Sequence, residues 1–246
     1  MRTRQILWAT VLLVLLWQAA AVLINASVLP GPGAAVMALV YNLPRGLAGH
    51  FLVSGYRLAL SMFIAALLAT PLGLAIGQSP RLNGFISPLI YMTYPIPKIV
   101  FLPIIMLFLG TGDGAKVFMI TLILFFQILV VVRDACLGVR PELVQSVRSL
   151  GAGRLELLRY VYLPACLPSV LTALRVSTGT AVAVLFLAET FATQSGLAYY
   201  IMVEAWGRMA YPEMYAGVIA MAALGLTTYI LLDRLERRAC EWMVVR

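Results

Sequence analysis

Few residues in this 246-residue chain could do covalent or metal chemistry. His50 is the only histidine, which removes Ser-His-type hydrolysis and most metal centres. Cys136, Cys166 and Cys240 are odd in number, widely spaced and free of any CxxC pair, so neither a disulfide framework nor a zinc site is supported. The stretch GTGDGAK, Gly110 to Lys116, has the glycines of a phosphate-binding loop without its spacing. That loop needs GxxxxGK followed by Ser or Thr, whereas Ala115, Lys116 and Val117 stand here. No nucleotide, metal or cofactor site is expected on this chain, and it is not read as an enzyme.

Two charged residues remain in costly surroundings. Lys98 falls near the middle of an apolar stretch, where an ammonium requires a polar cavity, a partner, or carbonyls freed by Pro95 and Pro97. It either lines an anion path or caps the carbonyls of a proline-broken helix. Glu189 lies at the end of another apolar stretch, paired structurally with a neighbouring helix or guarding an outer gate.

The elements that hold these residues are membrane spans. The chain is 62% hydrophobic and 11% charged, with a mean hydropathy of +0.96, and it contains uncharged runs long enough to cross the ~30 Å of a bilayer core. Spans are expected at Gln5–Asn25, Phe51–Gly77, Phe85–Leu109, Val117–Val132, Ser169–Leu187 and Met214–Leu232. The first is read as a retained span, since it exceeds the apolar core of a cleaved signal peptide. The third carries Pro88, Pro95, Pro97 and Pro103, so it cannot be a straight helix. Arg57, near the outer end of the second, is expected to snorkel to the interface. Leu29 to His50 reads as an external loop with a short helix, and QSPRLNG, Gln78 to Gly84, as a tight turn.

The net charge of +8 reflects topology rather than nucleic-acid binding. Placing Arg2, Arg4, Arg81, Arg133, Arg140, Arg148, Arg154, Arg159, Arg234, Arg237, Arg238 and Arg246 on the cytoplasmic side leaves chiefly Arg45, Arg57, Lys116 and Arg208 opposite, with both termini cytoplasmic.

Between the fourth and fifth spans lies VQSVRSLGAGRLELLRYVYLP, Val144 to Pro164. Arg148, Arg154, Glu156 and Arg159 make it too costly to insert. Pro141 starts a short helix with Leu143, Val147 and Leu150 on one face. Gly151 permits a turn, and a second short helix carries Leu155, Leu158 and Tyr162 until Pro164 ends it. Such a glycine-hinged pair is either a dock for a cytosolic partner or a surface helix that binds lipid headgroups.

This segment resembles the cytoplasmic loop of binding-protein-dependent ABC importer permeases, whose pattern is Glu-Ala-Ala, three residues, Gly, nine residues, Ile, any residue, Leu-Pro. The matching positions are Gln145, Ser146 and Val147, then Gly151 with Ala152 after it, then Val161, Leu163 and Pro164. The Gly and Leu-Pro fit; the Glu-Ala-Ala is replaced. LPGP after the first span, Tyr94 to Lys116, AETFATQSGL from Ala188 to Leu197 and the terminal LLDRLERRACEW are similar to the nitrate, sulfonate, taurine and bicarbonate branch.

The resemblance implies an all-α integral membrane protein with six transmembrane helices, like the permease of a type I importer. Residues 1–246 would form one permease domain, with a cytoplasmic coupling helix pair at about 138–168. It implies a bacterial inner-membrane location, a second permease copy, two ATP-binding cassette subunits that bind ATP and Mg, and an extracytoplasmic binding protein. Glu204, Arg208 and Glu213, in an external segment with Tyr199, Tyr200, Trp206 and Tyr211, would contact that protein; an aromatic belt at the membrane interface is the other reading. The solute is expected to be small and anionic, a sulfonate, taurine, nitrate or similar, with neutral heterocycles also open. An ATP-independent transporter or channel would instead show intramembrane acid or histidine relays, which this chain lacks.

Overall fold

The computed structural model describes residues 3–191 and 193–243. Arg2 and Arg246, counted above for topology, and Ala192, within AETFATQSGL, lie outside the described residues, as does the side chain of Arg4. No strand occurs among the described residues. Two compact units are formed, Met1–Gly55 with Glu189–Leu224, and Tyr56–Ala188 with Gly225–Arg246.

In the first unit, α1 (Thr3–Ile24) is apolar around its circumference and leaves nearly all of its large side chains exposed. Its anchor is Trp17, whose indole N–H donates to the Pro30 carbonyl at 3.1 Å while the ring stacks on Tyr215 at 5.6 Å. Proline in the first turn opens α2 (Pro32–Asn42), where the missing N–H costs nothing. Further on, α10 (Leu197–Tyr199) runs through a π-helical turn, Tyr200–Ala205, and a 3-10 turn, Trp206–Arg208, to Met209 in the left-handed region at φ 54°.

The second unit contains most of α3 (Leu47–Gln78), followed by α4 (Pro80–Thr93). The expected QSPRLNG turn shrinks to the single corner residue Ser79. Its hydroxyl accepts the Leu82 N–H at 3.3 Å, and Pro80 restarts the helix at once. After Thr93 the sequence Tyr-Pro-Ile-Pro breaks the chain. A 3-10 turn, Lys98–Phe101, leads into α5 (Leu102–Leu109), bent 78° from α4. Then come α6 (Asp113–Leu137), α7 (Pro141–Ser149), α8 (Arg154–Leu157), α9 (Leu163–Thr190) and α11 (Tyr211–Ala239).

Five helical stretches are long and apolar enough to cross a membrane, or six when the bent α4/α5 pair is taken as one span. The expected all-α membrane fold is therefore present, with altered boundaries. The helix that carries the expected Ser169–Leu187 span is longer than that span and runs from Arg154 to Thr190. Pro164 does not end the second hairpin helix: it sits in the first turn of α9, and a π-helical turn, Leu158–Tyr162, carries the chain into it. A widened turn absorbs the donor that proline lacks.

Arg57 also departs from expectation. It is paired within the protein and 2% exposed, because Asp113 at the start of α6 takes its guanidinium at 2.9 and 2.6 Å. Within the same unit, α3 and α6 touch closely; a Cβ on Gly77 would lie 2.5 Å from the Cβ of Cys136.

One span carries a charge that the expectations above do not include. Arg175 in α9 meets Asp233 of α11 at 2.6 Å and Glu236 at 3.3 Å, and Thr172 donates to Glu236 at 2.7 Å. All three charged side chains are a quarter exposed or less. Removing one member of such a group leaves the others without compensation. Arg175→Met is expected to lower the melting temperature of the detergent-solubilised protein. Adding Asp233→Asn and Glu236→Gln should recover part of the loss, as a melting series would show.

Candidate functional site

The hairpin between α6 and α9 has no buried residue in α7, and Gln145 and Ser146 are exposed there with Val147 half-buried. The N–H groups of Leu150 and Gly151 close the helix on Val147 and Arg148. Gly151 then takes φ 88° with nothing within 4 Å of a notional Cβ, so glycine is required by the backbone and not by space. Ala152 follows, half-buried, and α8 starts at Arg154.

Among exposed polar and charged residues such as Gln145, Arg148 and Glu156, the hairpin also displays large apolar side chains. Leu150 is 86% exposed and Leu155 72%, more than a solvated loop needs. Its inner side is fixed, since Leu157, Val161 and Cys166 are buried. Leu163 is partly exposed and Pro164 half-buried at the junction with α9. The residues matched to the coupling motif thus lie along one hairpin whose second helix continues as a single helical rod into α9.

Lys98 sits at the break between α4 and α5. Its ammonium donates to the carbonyls of Thr93, Tyr94 and Ile96 at 3.0, 3.3 and 3.4 Å, and lies 4.5 Å from the centre of the Phe126 ring. The Thr93 carbonyl loses its helical donor to Pro97, and those of Tyr94 and Ile96 lie in the non-helical turn that follows α4. Lys98 also borders a cavity of about 370 Å³ with Gln127, Thr180 and Val184. The buried amide oxygen of Gln127 has no hydrogen-bond partner.

Glu189 belongs to the other compact unit. It is fully buried, with the Ser54 hydroxyl 2.8 Å from both carboxylate oxygens, and it accepts the Ala198 N–H at 3.2 Å. Ser54 in turn accepts the Leu197 N–H at 2.8 Å. This carboxylate fastens the start of α10 to α3.

Beyond it, His50 accepts the Gly196 N–H on Nδ1 at 3.1 Å, which places its proton on Nε2 towards Glu204 at 3.3 Å. Arg208 donates to the backbone carbonyl of Glu204 and remains exposed. Glu213 lies in the first turn of α11, where a carboxylate suits the helix dipole. Not all of the aromatic residues are displayed. Tyr200 is packed inside against Gly217, and burial, with Glu213 and Glu204 nearby, pushes its phenol up to about 12.

The sequence reading missed the Arg175, Asp233 and Glu236 cluster. Its signal was available: a lone arginine in the fifth span and two acids three residues apart just past the sixth.

Comparison with known proteins places this arrangement. Residues 61–239 match the family described as binding-protein-dependent transport system inner membrane component. The chain is 31% identical over 194 residues to the taurine transport system permease protein TauC of Escherichia coli (strain K12), covering 78% of this chain and 70% of the relative. It is 30% identical to a Bacillus subtilis (strain 168) protein named for aliphatic sulfonate transport, SsuC, covering 89% and 79%. It is also 30% identical to the riboflavin transport system permease protein RibX of Chloroflexus aurantiacus, covering 65% and 60%. A solved chain of the MetNI methionine ABC transporter, in inward facing conformations, superposes with a TM-score of 0.64 at 19% identity, over 78% of this chain and 95% of that one. The fold is thus shared with a chain of that ABC transporter, and the chain belongs to the binding-protein-dependent transport system inner membrane component family.

Proposed function

We propose that the chain is the permease subunit of an ATP-driven importer in a bacterial inner membrane, with both termini cytoplasmic, moving a small anionic solute delivered by an extracytoplasmic binding protein. The observation that carries the reading is the hairpin, which displays Leu150 and Leu155, is fixed at its base and is continuous with α9. ATP binding on a partner drives transport only if it favours one arrangement of the spans, so closure must reach them through a stiff connection. Gln145, Ser146, Val147, Gly151, Ala152, Leu163 and Pro164 form that connection, and two cassette subunits holding ATP and Mg dock on it. A second copy of the chain completes the membrane part.

Lys98 lies along the solute path. The relatives named for taurine and sulfonate transport support an anionic sulfonate as the solute class. Glu189 orders the outer segment, and Glu204, Arg208 and Glu213 meet the binding protein.

Gentle extraction followed by native mass measurement is expected to give two 26.8 kDa chains with two ATPase subunits. Gly151→Pro should abolish solute-stimulated ATP hydrolysis or the assembly itself; a variant normal in both removes the coupling role from this turn. A homo-oligomer that transports without ATP would replace the importer reading altogether.

A separate expectation concerns Lys98. In vesicles, Lys98→Met should reduce uptake of the anionic solute by about tenfold or more, with Lys98→Arg retaining part of it. Uptake unchanged at equal assembly removes Lys98 from the path.

A further inference from the structure

Two cavities of different chemistry meet at the base of the hairpin. The first, about 790 Å³, is walled by Phe63, Leu67 and Leu74 of α3 and by Leu155, Leu158 and Leu163, with Thr70, Gln78 and Arg154 its only polar residues. From Phe63 to Gln78 the α3 wall runs about 22 Å at 1.5 Å per residue, which spans the ~15 Å hydrocarbon depth of one leaflet. The second, about 710 Å³, is lined by Ser79, Arg81, Arg148, Arg154 and Tyr162. Ala75, Gln78 and Arg154 border both.

No carboxylate lines either cavity. The ion pairs of the described residues leave out Arg81, Arg148 and Arg154. Glu156, the one acid of α8, turns back against Gly153 instead. Three unpaired guanidinium groups at the end of a leaflet-long apolar groove call for an occupant with a negative head and a hydrocarbon tail. Guanidinium also offers the forked donors that phosphate oxygens fit.

We propose that this face binds one anionic phospholipid, an acyl chain lying in the groove along α3 and the phosphate held among Arg81, Arg148 and Arg154. The lipid would fill the space between α3 and the hairpin, at the root of the rod that continues into α9. The site depends on the chain lying in a bilayer and not on which solute the complex carries.

The test is native mass spectrometry of the detergent-purified complex titrated with phosphatidylglycerol, with phosphatidylcholine of the same chains, and with glycerol phosphate. One phosphatidylglycerol per chain is expected, preferred over phosphatidylcholine by about fivefold for each arginine engaged. Replacing Arg81, Arg148 and Arg154 together by Gln should erase that preference, and replacing all three by Lys should retain most of it. Ala66→Phe, which fills the groove, should weaken both lipids while leaving the melting temperature near that of the parent chain. Equal binding of the two lipids, or an unaltered preference in the triple Gln variant, overturns the proposal. Glycerol phosphate binding as tightly as the lipid makes this a headgroup site only, and Leu67→Cys pairing with a second chain in lipid-free complex makes it a permease interface; either result also overturns it. The readout is lipid mass, so its failure leaves the import reading standing.

Discussion

Inside a bilayer no water is available to backbone N–H and C=O groups, and every departure from regular helix must find its own partners. The chain departs most sharply at Tyr94 to Pro97, where two prolines remove donors and the axis turns through 78°. The carbonyls freed there converge on the Lys98 ammonium. A charge that looks unaffordable in an apolar stretch is thus part of what makes the break possible. The same ammonium borders the cavity beside the break, together with Gln127 and Thr180.

The other buried charges obey the same constraint. Arg57 is satisfied by Asp113, Lys116 donates to the Thr111 carbonyl at 2.6 Å, and Glu189 is held by Ser54 and the start of α10. The Arg57 tie joins α3 to α6, whereas those of Lys116 and Glu189 join a helix to the irregular segment beside it. Charge and hydrogen bonding thus position irregular segments and also tie spans together, at Arg57–Asp113 and Arg175–Asp233, beside small and apolar contacts such as Gly77 against Cys136.

Span number and the hairpin were legible from the chain because both rest on local signals, apolar length and the cost of inserting Arg148, Arg154 and Arg159. The Tyr-Pro-Ile-Pro break was legible for the same reason. What could not be read was whatever needs a distant partner. Nothing around Arg57 names Asp113, fifty-six residues away, and snorkelling was the default for an unpaired arginine. Helix ends were misplaced where proline acts as a start. Pro80 and Pro164 both stand in first turns, where a proline closes nothing. Candidate coupling residues were readable as a motif, whereas their shared fixed base, Leu157, Val161 and Cys166, emerges only from packing.

The π-helical turn at Leu158–Tyr162 sets an angular phase. It holds one residue more than an α-turn, and each residue of an α-helix advances the azimuth by about 100°. Deleting a single residue from that turn would leave the rod nearly the same length and helical throughout, yet swing the Leu150 and Leu155 surface by roughly that angle about the axis of α9. The direction in which the knob points is thus encoded by a count of residues in one turn, separately from the side chains that form the knob.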